Sequence, residues 1–258
     1  MKKQFFILAS LLLSAATFVQ AQMTAEEIVS TYLENIGGAE QLAEIETMVI
    51  IGNTQAQGME FPMTMYQTAD GAQRMDMTFQ GKEMTQMAFD GEEGWGINFM
   101  TGKPEKMDAE QSKMIAAQTE DFPDAFLNYK EKGYTVELVD ENADVEGTPA
   151  YKVKLTRKPM TVEGEEVENF AYYYFDKDAF IPIMQEEFAK AGPAKGQASQ
   201  TFTSDYQEVS GIYMPFSISQ KMNGATVFSM AIEEIKVNEE LDDELFEFPE
   251  DAEEEGDK

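Results

Sequence analysis

The sequence predicts a mainly β protein with a few helices, built as one continuous up-and-down antiparallel sheet of about a dozen strands. Three observations predict it. Apolar residues recur with period two from Thr47 to Met100 and again from Tyr134 to Val237. Turn dipeptides punctuate both stretches at short, similar intervals, among them Asp70-Gly71, Asp90-Gly91, Ser210-Gly211 and Asn223-Gly224. Helical spacing is confined to the start of the chain and to the interval between the two stretches.

Taken in order, residues 1–21 read as a secretory signal. Lys2 and Lys3 form a positive start, Phe5 to Ala16 an apolar run too short to span a bilayer, and Val19-Gln20-Ala21 a small-residue cleavage site. The product is expected to begin at Gln22 in the periplasm. A helix should follow, because Thr24 and Glu27 form a capping box, Met23 and Ile28 a hydrophobic staple, and Gly37-Gly38 a stop. Its apolar face carries Ile28, Val29, Tyr32, Leu33 and Ile36, and Ala39 to Ile45 adds one further helical turn. Five strands are then expected, over Met48–Ala56, Met59–Thr68, Gln73–Phe79, Glu83–Phe89 and Trp95–Phe99. Asp108 and Gln111 make a second capping box before Met114 and Ile115, and Phe122-Pro123 opens a short segment with Phe126 and Leu127, so one or two helices interrupt the sheet. Seven more strands follow: Tyr134–Val139, Ala150–Thr156, Val167–Phe175, Phe180–Ala189, Gln197–Val209, Tyr213–Lys221 and Thr226–Val237. Residues 22–249 read as one domain, and 250–258 as an acidic disordered tail.

Composition removes several function classes. The chain has no Cys and no His, which excludes thiolate and imidazole nucleophiles and most zinc and iron sites. A formal net charge of −30 makes nucleic acid an unfavourable partner, since phosphate contacts require clustered Lys and Arg. Without Cys there is also no lipid anchor and no disulfide, so the core must hold the fold together. Asp140, Asn142 and Asp144 imitate the start of a calcium loop, but Val145 stands where the loop requires Gly and Tyr151 where it requires Glu. A polar hairpin loop is expected there. Carboxylate pairs are abundant among 49 acids, and no pattern singles out a general acid. No catalytic residue, metal site or cofactor is therefore assigned.

The informative excess is methionine, with 18 residues, many on aromatic-rich strands. On strands Met63 and Met65 share a face, as do Met75, Met77 and Phe79. Two readings stand beside ordinary core filling: a polarizable wall that repacks around an irregular apolar guest, and a thioether set for Cu(I). The dispersal of methionine along the chain and the lack of His or Cys weigh against copper. If Trp95, Ile97 and Phe99 also point inward, they complete a wall opposite the lid residues Met114, Ile115, Phe122 and Phe126.

The order of these elements resembles the LolA-type lipoprotein carriers. The resemblance rests on the capped first helix, the run Phe89-Asp90-Gly91-Glu92-Glu93-Gly94-Trp95 leading into an apolar strand with Asn98, the helical interruption, and the closing Leu245-Phe246-Glu247-Phe248-Pro249. It implies an unclosed antiparallel β half-barrel, covered by the first helix and a mid-chain helical lid, that acts as a monomer. It also implies a cavity for acyl chains of lipoproteins, received from an inner-membrane ABC transporter and delivered to an outer-membrane acceptor. A carrier or sensor of another lipid is the alternative. Carriers of this type place an Arg just before the turn that ends the second strand, where it helps hold the lid. Here that turn reads Thr68-Ala69-Asp70-Gly71, and Arg74 lies just past it.

Overall fold

The two eleven-residue helices begin where their capping boxes expect them. In the computed structural model, which describes residues 23–249 except 57 and 99, α1 (Ala25–Asn35) starts with Thr24 Oγ1 accepting from Glu27 N at 3.2 Å, while the Glu27 carboxylate accepts from Thr24 N at 2.8 Å. The signal segment 1–21, Phe99 and the acidic tail from 250 onward lie outside the described residues. A single turn, α2 (Ala39–Leu42), follows the stop at Gly37-Gly38. The second capping box opens α3 (Ala109–Thr119), where Asp108 accepts from Glu110 N and Gln111 N.

The first run of strands comprises β1 (Thr47–Ala56), β2 (Met59–Thr68), β3 (Gln73–Phe79), β4 (Lys82–Phe89), β5 (Gly94–Asn98) and β6 (Lys103–Lys106). After α3 come β7 (Thr135–Val145), β8 (Thr148–Thr156), β9 (Met160–Val162), β10 (Glu165–Val167), β11 (Phe170–Asp176), β12 (Pro182–Phe188), β13 (Ala198–Val209), β14 (Ile212–Met222) and β15 (Ala225–Val237). Thirteen of them form one antiparallel sheet in the order β6-β5-β4-β3-β2-β1-β15-β14-β13-β12-β11-β8-β7, and β9 with β10 forms a separate hairpin. The first and last strands, β1 and β15, pair at the middle and join the two meanders. The outermost strands β6 and β7 do not pair with each other, so the sheet is unclosed, with the helices on one face.

That helix-covered face holds the main core. Ile28, Val29 and Tyr32 of α1 are buried against Met63, Val153, Leu155, Phe175, Met230 and Ile232, which reach them from both meanders. Burial of this stripe, at about 25 cal/mol per Å² of apolar surface, is what holds a short helix in place without disulfides.

Several expectations need correction. Asp140, Asn142 and Asp144 do not form a hairpin loop: they lie inside β7, whose register against β8 slips at this point, and the turn falls at Glu146-Gly147. Asp140 and Asp144 spend their carboxylates on main-chain N–H groups of Asn142 and Gly147 at 2.8 and 2.9 Å. The expected strand 167–175 is two elements, because the β9–β10 hairpin takes Val167 and β11 starts only at Phe170. Residues Phe122 to Leu127 form turns around the main core, and β6 pairs with β5 where a helix-bearing interval was expected.

Candidate functional site

The register arranges the methionines into two cross-strand rows. Met63 lies opposite Met77 and Met77 opposite Met84; Met65 lies opposite Met75 and Met75 opposite Met87. Residues directly opposite share a face, and Met63, Met65 and Met75 belong to or pack against the core under α1. Thr54, Gln86 and Gln73 donate to the sulfurs of Met63, Met77 and Met87 at 3.6, 3.7 and 3.8 Å. Met77 and Phe79 line a cavity of ≈ 460 Å³ at the far end of the wall, with Phe61, Met84 and Phe228.

Trp95 and Ile97 are not part of this wall. Gly94 is opposite Phe89, itself opposite Gln73, which shares its face with Met75; Trp95 is opposite Ala88 and so points the other way. There its indole Nε1 donates to Phe246 O at 2.9 Å, its ring meets Phe248 edge-on at 5.9 Å, and both Trp95 and Ile97 line a groove of ≈ 750 Å³ on the uncovered face. The physical reason lies at Gly94. A Cβ there would sit 2.8 Å from Met107 Sδ and 3.5 Å from Ile115 Cδ1, so the lid packs down onto a glycine and the tryptophan beside it must take the other face. Arg74 also lies on that other face. It grips both Asp76 oxygens at 2.9 Å and donates to Leu245 O at 2.6 Å, so it holds the C-terminal segment and not the lid.

The remaining lid residues stay on the helix side. Met114 lines a cavity beneath α3, Phe122 packs against the main core, and Phe126 is fully buried among Tyr32, Tyr173 and Phe175. The structure therefore brings Met63, Met65, Met75, Met114, Ile115, Phe122 and Phe126 to one side, with Met77 and Phe79 further along it.

Between α1, the Pro123–Asp124 turn and the middle of the sheet lies an inner chamber of ≈ 280 Å³. Its walls include Met48, Ile50, Met214, Ile218, Ile232 and Ile235. An outer chamber of ≈ 770 Å³ adjoins it beneath α3 and the β9–β10 hairpin, and the two share Tyr32, Pro123, Asp124, Tyr173, Pro182 and Gln185. The neck is polar. Tyr32 donates to Asp124 Oδ2 at 2.6 Å, and Asp124 Oδ1 accepts from Phe126 N at 2.7 Å. Burial lifts the Asp124 carboxyl above the ordinary carboxylate range although the Tyr32 hydrogen bond opposes the shift, and burial together with Asp124 lifts the Tyr32 phenol. Tyr206 closes the inner chamber by donating to Pro182 O at 2.7 Å, and burial pushes its phenol up to about 12.

The outer chamber is two-natured. Met114, Met160, Val162 and Phe188 give it apolar walls, while Arg157, Asn169, Asp121, Glu187 and Lys190 gather at one end. Arg157 donates to Asp121 at 2.7 Å and to Tyr173 at 2.9 Å and stands 3.6 Å from Glu187. Burial opposes the guanidinium charge, but Tyr173 and Asp121 outweigh it and lift its pKa above the ordinary value. Asp121 follows α3 directly, so this pair ties the lid to the end of β8. The sequence pattern does not bring these polar residues together, because β8, β12 and the segment after α3 meet only in the fold; its one signal is Arg157 at the end of β8.

Compared by sequence, the chain matches neither a protein-family model nor a curated protein. Compared by structure, it is similar to a LolA superfamily protein from Nitrosomonas europaea, with a TM-score of 0.55 and 14% identity over 88% of this chain and 99% of that one. A putative outer membrane lipoprotein-sorting protein domain from Vibrio parahaemolyticus gives 0.52 and 8% identity over 85% and 94%. A DUF1329 family protein from Desulfovibrio piger gives 0.50 and 12% over 86% and 97%. The alignments run across nearly the whole of each relative. The chain has the LolA-like fold.

Proposed function

We propose that the protein is a periplasmic carrier that shelters the acyl chains of lipoproteins, or of another lipid, and moves them towards the outer membrane. The observation that carries this reading is the inner chamber, a mainly apolar space in the middle of the sheet that shares six wall residues with a wider chamber under a helix. Ligand sites of this kind enclose roughly 300–1,000 Å³ and combine apolar walls with a few placed polar groups; the outer chamber lies within that range and the inner one just below it. The LolA-like fold and the lipoprotein-sorting domain among its structural relatives support the same reading.

Energy supports it too. Each buried methylene gains about 0.8 kcal/mol, so a chain of some 16 carbons gains on the order of 10 kcal/mol, less the cost of parting the walls. Methionine is suited to such a wall, because it repacks around irregular guests. Lid movement would expose the chain and lower that affinity for handover. No catalytic step is part of this reading: Arg157, Asp121 and Glu187 are bound to one another, and Asp124 to Tyr32. An inner-membrane donor and an outer-membrane acceptor are the partners this role requires, and the protein would work as a monomer.

The test is native mass spectrometry of the exported protein. Co-purifying lipoprotein or lipid that is lost on denaturation supports the carrier. A ligand-free protein that also fails to bind an acyl probe contradicts it, and bound copper instead of lipid would move the reading to the methionine rows.

A further inference from the structure

We propose that the guest is an amphiphile with an anionic head, a carboxylate or phosphate, held in the outer chamber by Lys190 while its tail lies in the inner one. The inference rests on the carrier reading and adds the ligand class. Lys190 follows β12 directly and lines the outer chamber beside Phe188 and Ala191. Its ammonium donates to Asn169 Oδ1 at 2.8 Å. Asn169 is itself 8% exposed and its main-chain oxygen accepts from Arg157 N at 2.8 Å, so the amide that aims Lys190 is fixed.

What Lys190 lacks, among the described residues, is a carboxylate within ion-pair distance: Glu187 acts on it only from further away and stands 3.6 Å from Arg157. The acids of the chamber point elsewhere: Asp121 pairs with Arg157 through one oxygen, Glu187 faces Arg157, and Asp124 is held by Tyr32 and Phe126 N. Half-buried lysines elsewhere on the sheet have carboxylates, Lys152 with Glu186, Lys154 with Glu168 and Lys221 with Glu146. Lys190 bonds only a neutral amide, and burial lowers its pKa although Glu187 opposes the shift. A desolvated ammonium without an anion is unfavourable, and a charge-assisted bond to an incoming anion removes that cost. The direction of the chambers fits as well. The apolar inner space takes the tail, Tyr32 and Asp124 mark the neck, and the wider space holds the head. A net charge of −30 repels anions at long range, so selection falls to this local cation.

The test is displacement of a fluorescent acyl probe from the full protein by dodecanoate, dodecyl phosphate and dodecan-1-ol. At least one acid should compete about tenfold better than the alcohol. Lys190→Met should remove that preference while leaving the alcohol's affinity in place, and Lys190→Arg should keep it; the relative order of the two acids separates a carboxylate from a phosphate head. Equal competition by acids and alcohol, or a preference that survives Lys190→Met, overturns the inference but leaves the carrier standing. Failure of every amphiphile to compete overturns both.

Discussion

Trp95 Nε1 donates to Phe246 O at 2.9 Å, and this bond fixes the closing segment to the face of the sheet opposite α1 and α3. The Phe248 ring lies edge-on to the indole, Lys106 stands 5.3 Å above that ring, and Arg74 holds Leu245 O. Phe246 is 3% exposed, so Phe246→Ala should cost about 3–5 kcal/mol, the usual range for a buried aromatic. Urea unfolding measures the loss, and Trp95 emission should shift to the red in the folded variant.

The same placement makes the indole blind to cargo. Trp95 faces away from both chambers, so acyl binding should leave its emission unchanged, whereas removal of residues 245–258 should change it strongly. Steady-state fluorescence of the wild type and the truncated protein, titrated with dodecanoate, checks both halves.

Arg157 joins the lid to the sheet through a largely buried ion pair with Asp121. Arg157→Met leaves an acidic oxygen and the Tyr173 hydroxyl without their donor and should destabilise the fold by about 3–5 kcal/mol. Adding Asp121→Asn to that variant should recover part of the loss, because the uncompensated charge goes with it. A double-mutant cycle in urea measures the coupling.

Asp124 gives a pH dependence of the opposite sign to that of most carboxylates. Its folded pKa is raised, so between the ordinary carboxylate value and the raised one the folded state binds more protons than the unfolded state. The stabilising contribution is present at low pH and is lost as pH rises through the folded pKa. Asp124→Asn removes the charge, leaving the amide oxygen to accept from Phe126 N and the amide N–H to donate to Tyr32 Oη, so its stability relative to wild type should increase as pH rises from 4 to 7, a range covering the ordinary acid pKa of about 4 and the values above it. Urea midpoints at several pH values check the slope.

Ile218 lines the inner chamber and is only partly buried. In a filled core a larger side chain costs about 1–3 kcal/mol, but in an empty chamber it finds room. Ile218→Phe should therefore weaken acyl-probe binding about tenfold while changing the urea midpoint little.

The sequence shows what is local. Both capping boxes, at Thr24 and Asp108, start helices where expected, and the Gly-containing turns delimit most strands of both meanders. The cross-strand methionine rows follow from strand alternation once the hairpins are in place. Alternation also says that Trp95 and Ile97 share a face, but not which one, since that depends on pairing across β4, where Gln86 is the extra residue of a bulge. Gly94 carried the missing information, because a glycine before a tryptophan leaves room on one face only. The inner chamber was hidden for another reason: Met48, Met214, Ile218 and Ile232 meet only when β1 pairs with β15, across almost the entire chain.

The central claim is that acyl chains occupy the inner chamber. Photo-crosslinking with a diazirine-labelled fatty acid, followed by peptide mapping, tests it most directly. Labelling should fall on β14 and β15, at peptides containing Met214, Ile218 and Ile232, and should be lost in Ile218→Phe. Labelling confined to the Trp95–Phe248 groove or to the Met77–Met84 cavity, with none on β14 or β15, would contradict it.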